Sequence, residues 1–221
     1  MSLSQYHIPK SARDWPWKRF VGDPLALKFA ARELDHLARI VKACPRRELA
    51  IQAGGNLGLF PKFLAQQFAR VLTFEPDHQN YRWLRLNAPE LNIAAYEAAL
   101  GDTAGTVGLS RARRSKKRGI EHAGLVHVSG RGDVTMLRID DLPLMACDLI
   151  MLDCEGYELP ILRGAIETIR AYRPVIALEV NQNLGYFGFT YDDVAAFFDG
   201  IGYVWADTFK NDRLYVPEVA A

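Results

Sequence analysis

An α/β fold, with a mainly parallel sheet covered by helices on both faces, is predicted by three features of this 221-residue chain. Short apolar runs alternate with amphipathic segments from about residue 48 to residue 200. One of these runs, D-L-I-M-L at 148–152, is apolar almost throughout, as a strand covered on both faces must be. A glycine-rich turn, A-G-G-N-L-G at 53–58, joins the first apolar run to the first amphipathic segment, which is the layout of a strand–loop–helix crossover.

Each element follows in order. Residues 1–22 are aromatic and basic (Tyr6, Trp15, Trp17, Lys18, Arg19, Phe20) without clean periodicity, and read as an arm that packs on the domain or frames its entrance. A single domain is expected over 23–221. Asp23-Pro24 reads as an N-cap with proline at the first helical position. Leu27, Ala30, Leu34, Leu37 and Val41 then predict an amphipathic helix over 24–43, stopped by Cys44-Pro45. A first strand is expected at 49–53 and a crossover helix over 57–69, where Pro61 is tolerated because the first turn needs no N–H donor. A second strand at 71–74, a helix over 77–87 and a third strand at 93–97 follow. The fourth and fifth strands are expected at 148–152 and 175–180, with helical packing between them marked by Leu159, Leu162, Ile166 and Ile169 and broken at Gly164. A helix over 191–200 leads to a closing antiparallel pair, 203–205 and 214–216, joined through Lys210-Asn211-Asp212. The stretch 103–139 interrupts the alternation. It has strand character at 105–110 and 134–139 around a polar, glycine-containing middle, and reads as an insertion at the sheet's edge.

Bulk composition narrows the function classes. Hydrophobic content of 49% and charged content of 24% are those of a globular protein with a sizeable core. A formal net charge of +1 offers no global attraction to nucleic acid or to a membrane, so such an interaction needs a local patch. Three scattered cysteines, Cys44, Cys147 and Cys154, have no metal-ligand spacing and fit a reducing compartment. With no run of membrane-span length and no signal-like core, a cytoplasmic location is expected.

The chemistry concentrates in two places. The first is the glycine loop with Glu75, which stands where the second strand should end, placed to accept hydrogen bonds from both hydroxyls of a ribose. Gly54, Gly55 and Gly58 are expected to let backbone approach such a ligand, and the helix after them to offer unpaired N–H groups. This loop nearly satisfies G-x-G-x-x-G with alanine in the first place, so a nicotinamide dinucleotide competes with S-adenosylmethionine as its ligand. The second place is Asp153-Cys154-Glu155-Gly156-Tyr157-Glu158, which begins where the fourth strand should end. Its side chains are expected in the same cleft, at the carboxyl edge of the sheet. Three carboxylates in six residues on one rim is costly unless they bind a ligand, although Glu158 also suits the first turn of the next helix.

The segments A-G-G-N-L-G-L-F (53–60), T-F-E-P-D (73–77), A-A-L-G-D-T-A-G (98–105), L-R-I-D-D-L (137–142), D-L-I-M-L-D-C-E-G-Y-E-L-P-I-L-R-G-A (148–165) and R-P-V-I-A-L-E-V (173–180) occur in that order. Together they resemble the FkbM family of S-adenosylmethionine-dependent methyltransferases over about residues 48–181, most specifically in D-x-E-G-x-E-x-x-x-L-x-G-A. The resemblance implies a class I methyltransferase fold, a Rossmann-like three-layer sandwich whose seven-stranded sheet has one reversed strand. It implies S-adenosyl-L-methionine as cofactor and transfer usually to a hydroxyl oxygen. Two positions depart from the family's pattern: Gln52 stands where an acid is usual, and Met151 where a lysine often stands. A glutamine can hydrogen-bond the cofactor's amino group but supplies no compensating charge.

On this reading Gln52, Gly54, Gly55, Asn56 and Gly58 wrap the methionine and ribose portions of the cofactor, and Glu75 takes the ribose hydroxyls. Asp102, after the third strand, either meets the adenine amino group or is a turn residue of G-D-T-A-G. For a general base Asp153 comes first, with Glu155 and Glu179 as alternatives; each could instead accept a hydrogen bond from cofactor or substrate. No metal ligand set is expected, and a group of Asp140, Asp153 and Glu155 lacks the spacing for one. Of the histidines, His122 and His127 fall in the insertion near the cleft, where one could serve as base. The run Arg111-Ala112-Arg113-Arg114-Ser115-Lys116-Lys117-Arg118 is either a solvated loop or a means of gathering an anionic acceptor. Tyr186-Phe187-Gly188-Phe189 either lines the acceptor pocket or covers the core. The expected function is O-methylation of a small molecule or glycan. An RNA methyltransferase using the basic loop and a catalytically silent cofactor-binding protein are the alternatives.

Overall fold

The computed structural model describes residues 24–111 and 126–218. The expected arm at 1–22, residues 112–118 of the basic run and His122 lie outside them. The main sheet is built from β1 (Leu49–Ala53), β2 (Arg70–Phe74), β3 (Ile93–Tyr96), β9 (Leu149–Leu152), β10 (Val175–Glu179), β11 (Tyr203–Phe209) and β12 (Asp212–Pro217). Its seven strands run in the order β11-β12-β10-β9-β1-β2-β3. All pairs from β3 to β10 are parallel, while β12 inserts between β10 and β11 antiparallel to both. This is the α/β, class I methyltransferase architecture with its single reversed strand.

The period-two pattern of the central strands produces two cores, one on each face. Ile51, Ile150, Leu152, Ile176 and Leu178 pack against α4 (Glu158–Arg163), α5 (Ile166–Tyr172) and α6 (Tyr191–Asp199) through Ile161, Leu162, Ile169, Val194 and Phe198. The alternate residues Ala50, Leu149, Met151, Val175 and Ala177 pack against α1 (Pro24–Lys42) and α2 (Leu59–Leu64) through Leu37, Ile40, Val41 and Leu64. A helix α3 (His78–Asn87) starts at Asp77, whose side chain accepts from the Asn80 N–H at 3.0 Å. The α6 helix opens with a capping box between Thr190 and Asp193.

Three expectations are corrected. The first crossover helix is shorter than 57–69: after Leu64 the chain winds on through tight turns, with Gln66 and Gln67 N–H donating to the Phe63 and Leu64 carbonyls three residues back. Asp148 precedes the fourth strand, because its carboxylate accepts from the Glu48 and Leu49 N–H groups and pairs with Arg46 at 3.0 Å. The insertion's first expected strand, 105–110, is divided at Gly108 into two strands that pair in different sheets. The insertion forms a three-stranded sheet of β4 (Ala99–Leu100), β8 (Val134–Leu137) and β5 (Gly105–Val107), and a separate pair of β6 (Leu109–Arg111) and β7 (Val126–Val128). The break at Gly164 has a packing cause, since a Cβ there would strike the backbone of Gly101.

Candidate functional site

The carboxyl ends of β1, β2 and β9 meet around one cavity of about 100 Å³. It is lined from β1 and its loop by Ala53, Gly54 and Asn56, from the end of β2 by Phe74, Glu75 and Pro76, and from the turn after β9 by Asp153, Cys154, Glu155 and Tyr157. The insertion closes over it through Val126, His127 and Val128. The His127 ring stacks on Tyr186 at 5.8 Å, and Phe187 meets both His127 and Tyr157 edge-on, so aromatic rings bridge the two sides of the opening.

Local backbone geometry holds the acids in place. Asn56 sits in left-handed conformation at φ 46, and its N–H donates to the Glu75 Oε2 at 2.7 Å. The other oxygen of Glu75 accepts from the Asp77 N–H at 2.9 Å. Burial is the main force pushing the Glu75 carboxyl up to about 7, against the pull of those two N–H groups. The Asn56 Oδ1 atom is buried without a hydrogen-bond partner among the described residues. Glu155, also left-handed at φ 54, accepts from the Asn183 Nδ2 at 2.8 Å. Its carboxyl is pushed up to about 7, first by burial and then by Glu179. Asp153 is held well above the ordinary carboxylate range by burial, with Glu179 and Glu155 adding to it. Glu158 accepts from the Cys154 N–H at 2.7 Å, and less closely from Gly156, and so clasps the turn rather than lining the cavity.

Of the residues singled out in the sequence, Gly54, Asn56, Glu75, Asp153 and Glu155 come together here. Gln52 does not. It shares the opposite strand face with Ala50, wholly buried, with its amide bonded to the Thr73 hydroxyl and the Ala53 carbonyl. The loop glycines have protein packing reasons: a Cβ on Gly54 would strike the Asp153 carbonyl, on Gly55 the Leu84 side chain, and on Gly58 would crowd the backbone of Leu84. Their N–H groups donate to the Phe74 and Gly55 carbonyls. Asp102 is exposed on the turn after β4 and outside the cavity lining. Glu179 lies behind the lining, 3.4 Å from the Asn211 Nδ2, and acts on the site through its charge. Asp140 serves the start of α5, accepting from the N–H groups of Glu167 and Thr168. His127, expected near the cleft, lies in the lining; the sequence reading missed its neighbours Val126 and Val128, and Tyr157, as cavity walls, and the alternation V-H-V was the available signal, obscured by the polar residues around it.

The residues fit an adenosylated sulfonium. Asn56 and Glu75 line the cavity from the β1–β2 side, and the acids Asp153 and Glu155 rather than cations border it on the β9 side.

Comparison with known proteins agrees with this geometry. The chain is 28% identical over 175 residues to Methyltransferase sdnD of Sordaria araneosa, covering 60% of this chain and 66% of that one. It superposes on the methyltransferase FkbM from Methylobacillus flagellatus KT with a TM-score of 0.52 at 20% identity, covering 77% of this chain and 43% of the other. Magnesium protoporphyrin IX methyltransferase of Synechocystis PCC 6803 shares the fold at a TM-score of 0.51 and 13% identity, covering 92% of this chain and 90% of that one. The chain thus spans just under two thirds of the curated relative and less than half of the FkbM structure. The family model for the Methyltransferase FkbM domain matches residues 52–205, a span that contains the glycine loop, Glu75 and the whole acidic turn after β9, and the chain belongs to that family.

Proposed function

We propose that this chain is an S-adenosylmethionine-dependent methyltransferase that acts on a hydroxyl of a small molecule or glycan. The observation that supports the reading most directly is the convergence of Asn56 and Glu75 with Asp153 and Glu155 on one cavity at the sheet's carboxyl edge. Glu75 and Asn56 hold the ribose hydroxyls, and the Asn56 Oδ1 gains the donor it lacks. The acids of the rim favour the cationic end of the ligand, whose positive charge draws their raised pKa values back down. When bound, the cofactor supplies a methyl group activated by a positively charged sulfur, which keeps the bonding electron pair as the methyl passes to the acceptor oxygen.

Asp153 is the proposed base. Its raised pKa brings it closer to that of the hydroxyl proton it removes, and its place beside the Gly54 backbone puts it next to the donor. Tyr157, Phe187, His127 and Tyr186 then exclude water and offer flat apolar surface to the acceptor. Gln52 serves the packing between β1 and β2 rather than the cofactor. Titration with S-adenosylmethionine and with NAD, followed by a methyl-transfer screen against hydroxylated acceptors, tests the assignment; binding of NAD alone would reject it. Asp153→Asn should leave cofactor affinity within about threefold and lower kcat by at least about a hundredfold. Full turnover by that variant removes Asp153 as base.

A further inference from the structure

The structure assigns a second ligand site to this chain, a divalent transition-cation site formed by Glu33, His36 and Asp212. It stands apart from the cofactor cavity and does not depend on the function proposed for it. Glu33 and His36 lie three apart on α1 and so share one helix face. Asp212 opens β12, some 176 residues later, and is the register partner of Glu179 on β10. One ring nitrogen of His36 and one oxygen each of Glu33 and Asp212 all lie within 4.8 Å of one another. A cation held at about 2.1 Å by three tetrahedral ligands draws those atoms to about 3.4 Å, a closure that side-chain rotation supplies.

Two further observations point to a ligand rather than to a chance cluster. The Nδ1 atom of His36 is buried and has no hydrogen-bond partner among the described residues. The Asp212 carboxylate likewise has no hydrogen bond or ion pair among the described residues, and it stands in register beside Glu179. Lys210 is a favourable charge neighbour, and the exposed Arg32 sits 3.3 Å from Glu33. An exposed pair of that kind contributes little and yields readily to a divalent ion. The ring of His36 is held against Phe209 at 5.5 Å, which fixes the imidazole in position.

One imidazole with two carboxylates selects Zn²⁺ or Mn²⁺ over Mg²⁺, which prefers oxygen and retains its water. A bound cation would tie α1 to the β11–β12 hairpin and place positive charge next to Glu179, which itself acts on Asp153. The site was invisible in sequence because its ligands come from opposite ends of the chain.

The test uses the untagged full chain, stripped with chelator and titrated calorimetrically with Zn²⁺ and with Mn²⁺. One saturable site per chain is expected, with at least tenfold weaker binding in His36→Ala and in Asp212→Asn. Bound Mn²⁺ should show the electron spin-echo signature of a single coordinated imidazole nitrogen, absent in His36→Ala. His78→Ala, which alters only an exposed pair with Glu97, should bind as the parent does. Cofactor titration of each variant confirms that it has folded. Binding that never saturates, an imidazole signal that persists in His36→Ala, or equal loss in His78→Ala would overturn the assignment.

Discussion

Replacing Glu158 by glutamine isolates the cost of burying the acidic turn. In the folded chain this carboxyl is about 1% exposed, one of its oxygens has no partner among the described residues, and burial pushes its pKa from 4.5 up to about 7. A carboxyl whose folded pKa is raised binds its proton more tightly in the native state. Its contribution is therefore fully present below pH 4.5 and is lost as pH rises through about 7. The interval is about 2.5 pH units at about 1.36 kcal/mol each, a ceiling of about 3.4 kcal/mol. Relaxation of the turn around the ionised group brings the expected loss to roughly 1.5–3 kcal/mol. Glutamine keeps an oxygen for the Cys154 and Gly156 N–H groups but cannot ionise. Its own unmatched amide protons add a cost that does not vary with pH. Urea unfolding of both proteins at several values from pH 4.5 to pH 8 separates the two effects. The difference in stability should shift in favour of Glu158→Gln by that amount as pH rises. A difference that stays constant across the range would refute a buried, reluctantly ionised Glu158.

Three further outcomes follow from the same geometry. Gly54→Ala places a Cβ against the Asp153 carbonyl at a residue with φ 82; it should cost about 2–4 kcal/mol in urea unfolding and at least tenfold in cofactor affinity by calorimetry. His127→Ala removes the ring stacked on Tyr186 and should raise the acceptor KM about fivefold or more while leaving cofactor Kd unchanged, a split that steady-state kinetics reads directly. Cofactor affinity should rise about tenfold between pH 6 and pH 8, because one acid near pKa 7 must lose its proton to meet the cation. Calorimetry in buffers of different ionisation enthalpy would show the proton released.

Local pattern was enough wherever one element decides the outcome. The nearly unbroken apolar run in D-L-I-M-L placed a strand with two covered faces, and Leu149 to Leu152 divide between the two cores as that pattern requires. The reversed strand was legible as a terminal hairpin, but its position between β10 and β11 depends on long-range pairing, such as Ile176 with Tyr215, that no local pattern encodes. Glu75 and Asp153 were legible because an acid at a strand's carboxyl end has only one rim to face. Gln52 was not, because the same strand position can turn its side chain to either face and a hydroxyl at Thr73 captured it. The glycines were expected to let backbone approach a ligand. What fills the space a Cβ would need is protein backbone and Leu84, which only the folded chain reveals.

Those glycines also bear on the choice between the two cofactors that their spacing left open. A dinucleotide-binding loop works by aiming N–H groups and a helix N-terminus at a pyrophosphate. Here the N–H groups of Gly54 and Gly55 both reach the Phe74 carbonyl, and that of Gly58 reaches Gly55. The helix that follows is only six residues long, so its dipole is weak. Across the cavity the wall supplies Asp153 and Glu155, with Glu158 and Glu179 behind them. A pyrophosphate would meet few donors on one side and like charge on the other. A ligand with a sulfonium and an ammonium group meets acids held neutral chiefly by burial and by one another, whose ionisation its positive charge would favour. On the proposed function, the loop positions the chain for Asp153 to reach the cavity, and the acids rather than the glycines select what binds there.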